Sequence, residues 1–134
     1  MPVPTPRDHI RALRRAQEIV EETCDPLTDD FADARKVAHA GSQAATAYQI
    51  GKPAGEETVG MILFTCRMDP RGNDLIVECT IEMDHATVRL ADDTYRLPLH
   101  RVDDDTLGEF VRARVKQFRG RLLRARGQDP DSQP

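Results

Sequence analysis

The stretch "TVGMILFTCRMDPRGNDLIVECTIEM", residues 58–83, decides the fold class, because apolar and polar side chains alternate in it with a period of two. In its second half Leu75, Val77, Cys79, Ile81 and Met83 alternate with Ile76, Glu78, Thr80 and Glu82, the pattern of a half-buried strand. The first half can match that apolar face only through Ile62, Phe64, Cys66 and Met68. Across the "DPRGND" turn this sets Phe64 opposite Cys79 and Cys66 opposite Val77. Val59, Met61 and Leu63 then fall on the other, mixed face with Thr80, Glu82, Arg89 and Arg96. Downstream, "ATVRLADDTYRLPL" reads as a hairpin about Asp92-Asp93. With two-residue turns at Asp84-His85 and Asp92-Asp93, Met83 faces Ala86, Ile81 faces Val88 and then Leu97, and Cys79 faces Leu90 and then Tyr95. Arg89 is thereby set opposite Arg96, a like-charge pair with Glu78 and Glu82 diagonal to Arg89.

On either side of this block the period is helical. Thr5, Pro6 and Asp8 form an N-terminal signature, a capping residue with proline in the first turn and an acid closing the box, and predict a helix to about Cys24. Pro26 breaks or restarts it, and Thr28 or Asp25 caps a second helix to about Ile50. The basis is a three-four spacing through Ile10, Leu13, Gln17, Val20, Cys24, Leu27, Phe31, Ala34, Ala38, Gly41, Ala45 and Tyr48. A third helix starts at "VDDDTLGE", capped by Asp103 to Asp105, and stops near Gly127. Its apolar stripe is Leu107, Val111, Val115, Phe118, Leu122 and Ala125. The expected architecture is α+β: two N-terminal helices, a four-stranded antiparallel meander and a C-terminal helix (ααββββα). One domain spans residues 5–126, with 1–4 and 127–134 as disordered tails.

With 134 residues, 39% hydrophobic and 31% charged, the chain suits one modest core. The longest apolar run, residues 59–64, is far too short to span a bilayer. The start has no apolar run behind a basic region. Cys24, Cys66 and Cys79 have neither an even count nor metal spacing, so reduced core thiols and a cytoplasmic protein are expected. Arginine outnumbers lysine 16 to 3, so arginine content alone says little about ligands. Charge asymmetry says more: the net charge is −4, but residues 112–126 carry +7 and the remainder −11.

No chemistry is written locally. His9, His39, His85 and His100 lack ligand spacing, and there is no phosphate loop or nucleophile elbow. Sites could assemble in space from His100 with Asp103 to Asp105, or from Asp84-His85 with Asp92 and Asp93, yet those residues are turn formers and caps in their own right. No catalytic, cofactor or metal residue is assigned, and no cofactor is implied. An enzyme with no recognisable motif stands as an alternative.

Association has more support. A four-stranded face takes about two helices, and three seek cover. The first helix carries Arg7, Arg11, Arg14 and Arg15 at its start and Glu18, Glu21 and Glu22 at its end, against its own dipole. Pairing antiparallel with a copy of itself about a two-fold near Gln17 relieves both problems. The expected function is therefore a homodimeric, non-catalytic adaptor. Its contact residues are Arg11, Arg14, Gln17, Glu18 and Glu21 on the helix, and Val59, Met61, Leu63, Arg89 and Arg96 on the mixed face. The competing reading of the acidic end is a contact with the basic end of the third helix in the same chain. A second function is a nucleic-acid-associated regulator using Arg112, Lys116, Arg119, Arg121, Arg124 and Arg126, with Arg119-Gly120-Arg121 as a hook. Long arginine stems along an apolar stripe explain most of that pattern structurally.

Overall fold

The computed structural model describes residues 5–31, 34–40, 43–51, 58–70, 74–83, 86–88 and 94–125; the expected tails lie outside them. Helix α1 (Pro6–Cys24) starts as its sequence requires. The Asp8 amide donates to the Thr5 hydroxyl while the Thr5 amide donates to the Asp8 carboxylate, closing the capping box. The Thr5 amide also holds the Asp8 carboxyl below its ordinary range. Ala12, Leu13, Ala16, Ile19, Val20 and Cys24 are buried, a broad stripe suited to lying on a sheet. Of the expected seam, Leu13, Val20 and Cys24 are buried, whereas Ile10 is 58% exposed and Gln17 half-buried, and Ala12, Ala16 and Ile19 widen the stripe.

Pro26 restarts the helix as α2 (Pro26–Asp30), which lasts only five residues. The expected continuation to Ile50 does not form. Instead the chain makes strands β1 (Ala34–Ala40) and β2 (Ala44–Gly51), antiparallel, with Ala34 opposite Ile50 and Ala40 opposite Ala44. Tyr48 and Ile50 supply the reason. Two residues apart, they would stand about 200° apart on a helix, but they share one face of a strand. Both become fully buried beside Ile62, and that burial outweighs alanine's helix propensity, which is worth well under about 1 kcal/mol per residue.

Strands β3 (Thr58–Met68) and β4 (Asp74–Met83) pair in the expected register, Phe64 opposite Cys79 and Cys66 opposite Val77. Strand β5 (Ala86–Val88) also pairs as expected, with Met83 opposite Ala86 and Ile81 opposite Val88. Strand β6 (Thr94–Pro98) does not fold back on β5. It pairs with β4 itself, Tyr95 opposite Val77 and Leu97 opposite Leu75, so the expected Val88–Leu97 alignment is not made. Leu90, the other expected partner of Tyr95, lies outside the described residues. This arrangement buries Leu97 and stacks the Tyr95 ring on Phe110, with centroids 5.1 Å apart. The six segments thus occupy five positions: β1, β2, β3, β4, and then β5 and β6 in line along the outer edge of β4. The α+β class and the antiparallel meander hold, with a wider sheet and one long helix fewer than expected.

A 3₁₀ turn (Leu99–Arg101) leads to Asp103, whose carboxylate accepts the Thr106 amide at 2.8 Å and caps a single π-helical turn. Helix α3 (Glu109–Ala125) follows. Leu107, Val111, Phe118 and Leu122 are fully buried, as their stripe requires, and Phe110 joins them with the Arg114 guanidinium over its ring at 5.1 Å. Helix α1 packs on β2 and β3, α3 on β3 and β4, and the two helices touch. Where α3 crosses Gly60 there is no room for a side chain. A Cβ there would stand 2.8 Å from Met83 Sδ, 3.0 Å from Leu122 Cδ2 and 3.1 Å from Phe118 Cε1.

The core between helices and sheet holds all three cysteines, none of them in a disulfide. Burial pushes the Cys66 thiol up to about 12 and raises Cys24 as well. The β1–β2 hairpin is tied to the helix layer at the α1–α2 junction. The buried Tyr48 donates its hydroxyl to Asp25 Oδ1 at 2.6 Å, and Lys36 pairs with Asp25 at 3.3 Å and Glu21 at 3.4 Å. No helix among the described residues is long and apolar enough to cross a membrane.

Candidate functional site

Both long helices lie on one face of the sheet and bury their stripes, and the segment expected to continue the second helix forms the β1–β2 hairpin, so no long helix among the described residues is left seeking cover. What stays uncovered among the described residues is the opposite face. Alternation along each strand assigns its side chains, and the ladders align them into rows across β1, β2, β3 and β4. One row runs Arg35, Gln49, Met61, Glu82; the next Val37, Ala47, Leu63, Thr80; the next His39, Ala45, Thr65, Glu78. Val37 is 55% exposed, and Met61 and Leu63 are half-buried. The row beyond, Arg67, Ile76, Arg96, is closed by charge. Arg67 pairs with Glu78 at 3.0 Å, and Arg96 pairs with Asp69 and Asp74. Ile76 between the two arginines is only 4% exposed, as arginine stems lying over an apolar neighbour would leave it.

The face therefore has two ends of different character. One is a self-neutralised arginine–carboxylate network. The other is apolar at its centre, with Arg35 and His39 on β1 and Glu82 on β4, Glu78 standing at the boundary where Arg67 holds it. Among the described residues neither Arg35 nor Glu82 has an ion-pair partner.

Of the residues assigned from sequence, Met61, Leu63 and Arg96 lie on this face. Val59 sits where the β2–β3 ladder shifts register, Gly51 pairing with Thr58. Arg89 lies outside the described residues. The cross-strand partner of Arg96 in β4 is Ile76, and its counter-charges are Asp69 and Asp74. Arg11, Arg14 and Glu18 are exposed on α1, hence on the helix side of the sheet and not in one patch with Met61 and Leu63. Two of the α1 carboxylates have partners outside any copy of the helix, Glu18 with Arg15 at 3.3 Å and Glu21 with Lys36 of β1 at 3.4 Å.

On α3, Arg112 pairs with Asp104 at 3.7 Å and Arg119 with Asp30 of α2 at 2.5 Å. Lys116, Arg121 and Arg124 are exposed, and Arg126 lies outside the described residues. Arg119-Gly120-Arg121 is helical interior rather than a free arm. Among the described residues no three His, Cys, Asp or Glu converge on a metal position. Asp103, proposed as a partner of His100, is occupied as a helix cap.

The helical reading of residues 34–50 hides the open-face positions Arg35, Val37, His39 and Gln49, of which the first three are exposed, and the buried Ala47 between them. No family, no curated protein and no solved structure matches the chain.

Proposed function

We propose that this chain is a non-catalytic binding module that acts through protein–protein contacts, with the open sheet face as its contact surface. The observation that carries the reading is the apolar row Val37, Ala47 and Leu63, continuous across three strands, with Val37 55% exposed, Leu63 half-buried, Ala47 9% exposed between them, and no helix of the described residues over it. Apolar side chains contiguous on a sheet and rimmed by charge are what a partner's apolar surface buries. The free, buried thiols suit a reducing, cytoplasmic setting.

The test is affinity capture from nuclease-treated native lysate with the wild-type chain and with Leu63→Glu as bait. The expected result is protein retained by the wild type and lost with Leu63→Glu, both baits having the same circular dichroism. Equal capture by the two removes the open face from the account. Capture that disappears with nuclease returns the function to a polyanion held by Lys116, Arg121 and Arg124.

A further inference from the structure

We propose that the occupant of the open face is a second copy of this chain, packed sheet to sheet about a two-fold axis running parallel to the strands between β2 and β3. The inference rests on the open face being the contact surface, and goes further by fixing what covers it and in which orientation.

An axis parallel to the strands reverses the order of strands and keeps each row in register with itself. Strand β1 then lies over β4 of the partner and β2 over β3. In the first row Arg35 covers the partner's Glu82 and Gln49 covers the partner's Met61. In the second, Val37 covers the partner's Thr80, and Leu63 covers the partner's Ala47. In the third, His39 covers the partner's Glu78 and Ala45 covers the partner's Thr65. Both basic residues that β1 presents on this face meet a carboxylate, Arg35 the Glu82 left unpaired among the described residues and His39 the Glu78 that Arg67 also holds, and the branched Leu63 enters the space left by a methyl group. The two-fold repeats each contact.

The other in-plane axis, perpendicular to the strands, lays each strand over its own copy. It stacks Arg35 on His39 and Glu82 on Glu78, bringing the side chains of the β1 edge together and the carboxylates of β4 together. Like charges brought together in a partly desolvated interface are costly, so the charge pattern selects the strand-parallel axis. Two twisted sheets packed this way cross at about 30°, which shifts facing atoms at β1 and β4 by a few ångströms, within reach of arginine and glutamate arms.

The size is adequate for a reversible dimer. Strand β1 is seven residues long; four strands about 4.8 Å apart and about 3.3 Å per residue give roughly 440 Å² of sheet per copy. With side-chain relief the pair buries on the order of 1,000 Å², the lower bound for a specific interface. A dimer that dissociates on dilution follows.

The experiment is sedimentation velocity of the full chain over a dilution series, with Arg35→Glu, Glu82→Arg and the double swap. Both positions lie off the core, and circular dichroism checks that each variant folds. Each single change should raise the dissociation constant about tenfold or more, by setting like charges face to face twice in the dimer. The double swap should return it toward the wild-type value. A wild type that stays monomeric at micromolar concentrations overturns the second copy, and the reading of the face survives if capture still depends on Leu63. A dimer broken by Leu63→Glu but indifferent to the charge swaps overturns the axis alone. A dimer unaffected by Leu63→Glu overturns both.

Discussion

Adding one methyl group at Gly60 and the same methyl at Gly120 should move stability in opposite directions. At Gly60 the new Cβ meets Met83 Sδ at 2.8 Å, Leu122 Cδ2 at 3.0 Å and Phe118 Cε1 at 3.1 Å. The methionine end can swing aside at little cost. Leu122 and Phe118 are fully buried and can yield only by lifting α3 from β3. Overpacking of this kind costs about 1–3 kcal/mol. The loss of unfolded-chain freedom on replacing glycine returns about 0.5–1 kcal/mol, leaving a net destabilisation near 1 kcal/mol. At Gly120 nothing stands within 4 Å of the new Cβ, and the position is interior to α3. There alanine should stabilise by about 0.5–1 kcal/mol. The assay is urea unfolding of Gly60→Ala and Gly120→Ala beside the wild type, comparing midpoints at unchanged slope. The expected separation between the two variants is about 2 kcal/mol, or several degrees in Tm for a domain of this size. A Gly60→Ala chain at least as stable as wild type would refute the placement of α3 over β3, and with it the claim that both helices share one face.

Two further outcomes test the supporting structure. Tyr48→Phe removes a hydrogen bond to a carboxylate, worth about 1.5–3 kcal/mol when shielded; because half of the Asp25 side chain is open to water, the expected loss is about 1 kcal/mol, and it should vanish in an Asp25→Ala background, which has no side-chain acceptor, so that full additivity in that double-mutant cycle contradicts it. Asp103→Ala should lower the urea midpoint at neutral pH. The Thr106 amide holds the Asp103 carboxyl below its ordinary 3.8, so its contribution is complete above that value and fades as pH falls through the lower folded one. A gap between wild type and variant as large at pH 3 as at pH 7 contradicts the cap's role.

The strands were legible where bulky residues alternate. Ile62, Phe64 and Cys66 against Val77, Cys79 and Ile81 allow one register only, because a slip by one residue would turn the whole set outward. The caps at Thr5 and Asp103 were legible because capping depends on local chemistry. The hairpin β1–β2 was not, since Ala34, Ala38 and Ala45 fit a helical spacing as well as a strand, and alanine's propensity favours the helix. Only Tyr48 and Ile50, which share a face at period two and separate at 3.6, distinguish the two. The fate of β6 was hidden for another reason: Asp92-Asp93 has turn chemistry, but whether the chain reverses or runs on depends on β4 having a free edge, and that is a tertiary fact. Of the open sheet face, Met61, Leu63 and Arg96 are legible from strand alternation. The β1 and β2 half of the face could not be, once those residues had been assigned to a helix.

The contact between copies can be observed directly. In a sample mixing isotopically labelled and unlabelled chains, a filtered nuclear Overhauser experiment reports only proximities between different copies, so the neighbouring Leu63 and Ala47 of one chain do not contribute. The account requires cross-peaks from the Leu63 methyls of one copy to the Ala47 methyl of the other, fading on dilution. Intermolecular cross-peaks confined to α1 or α3, or none at concentrations where the mass is dimeric, would contradict it.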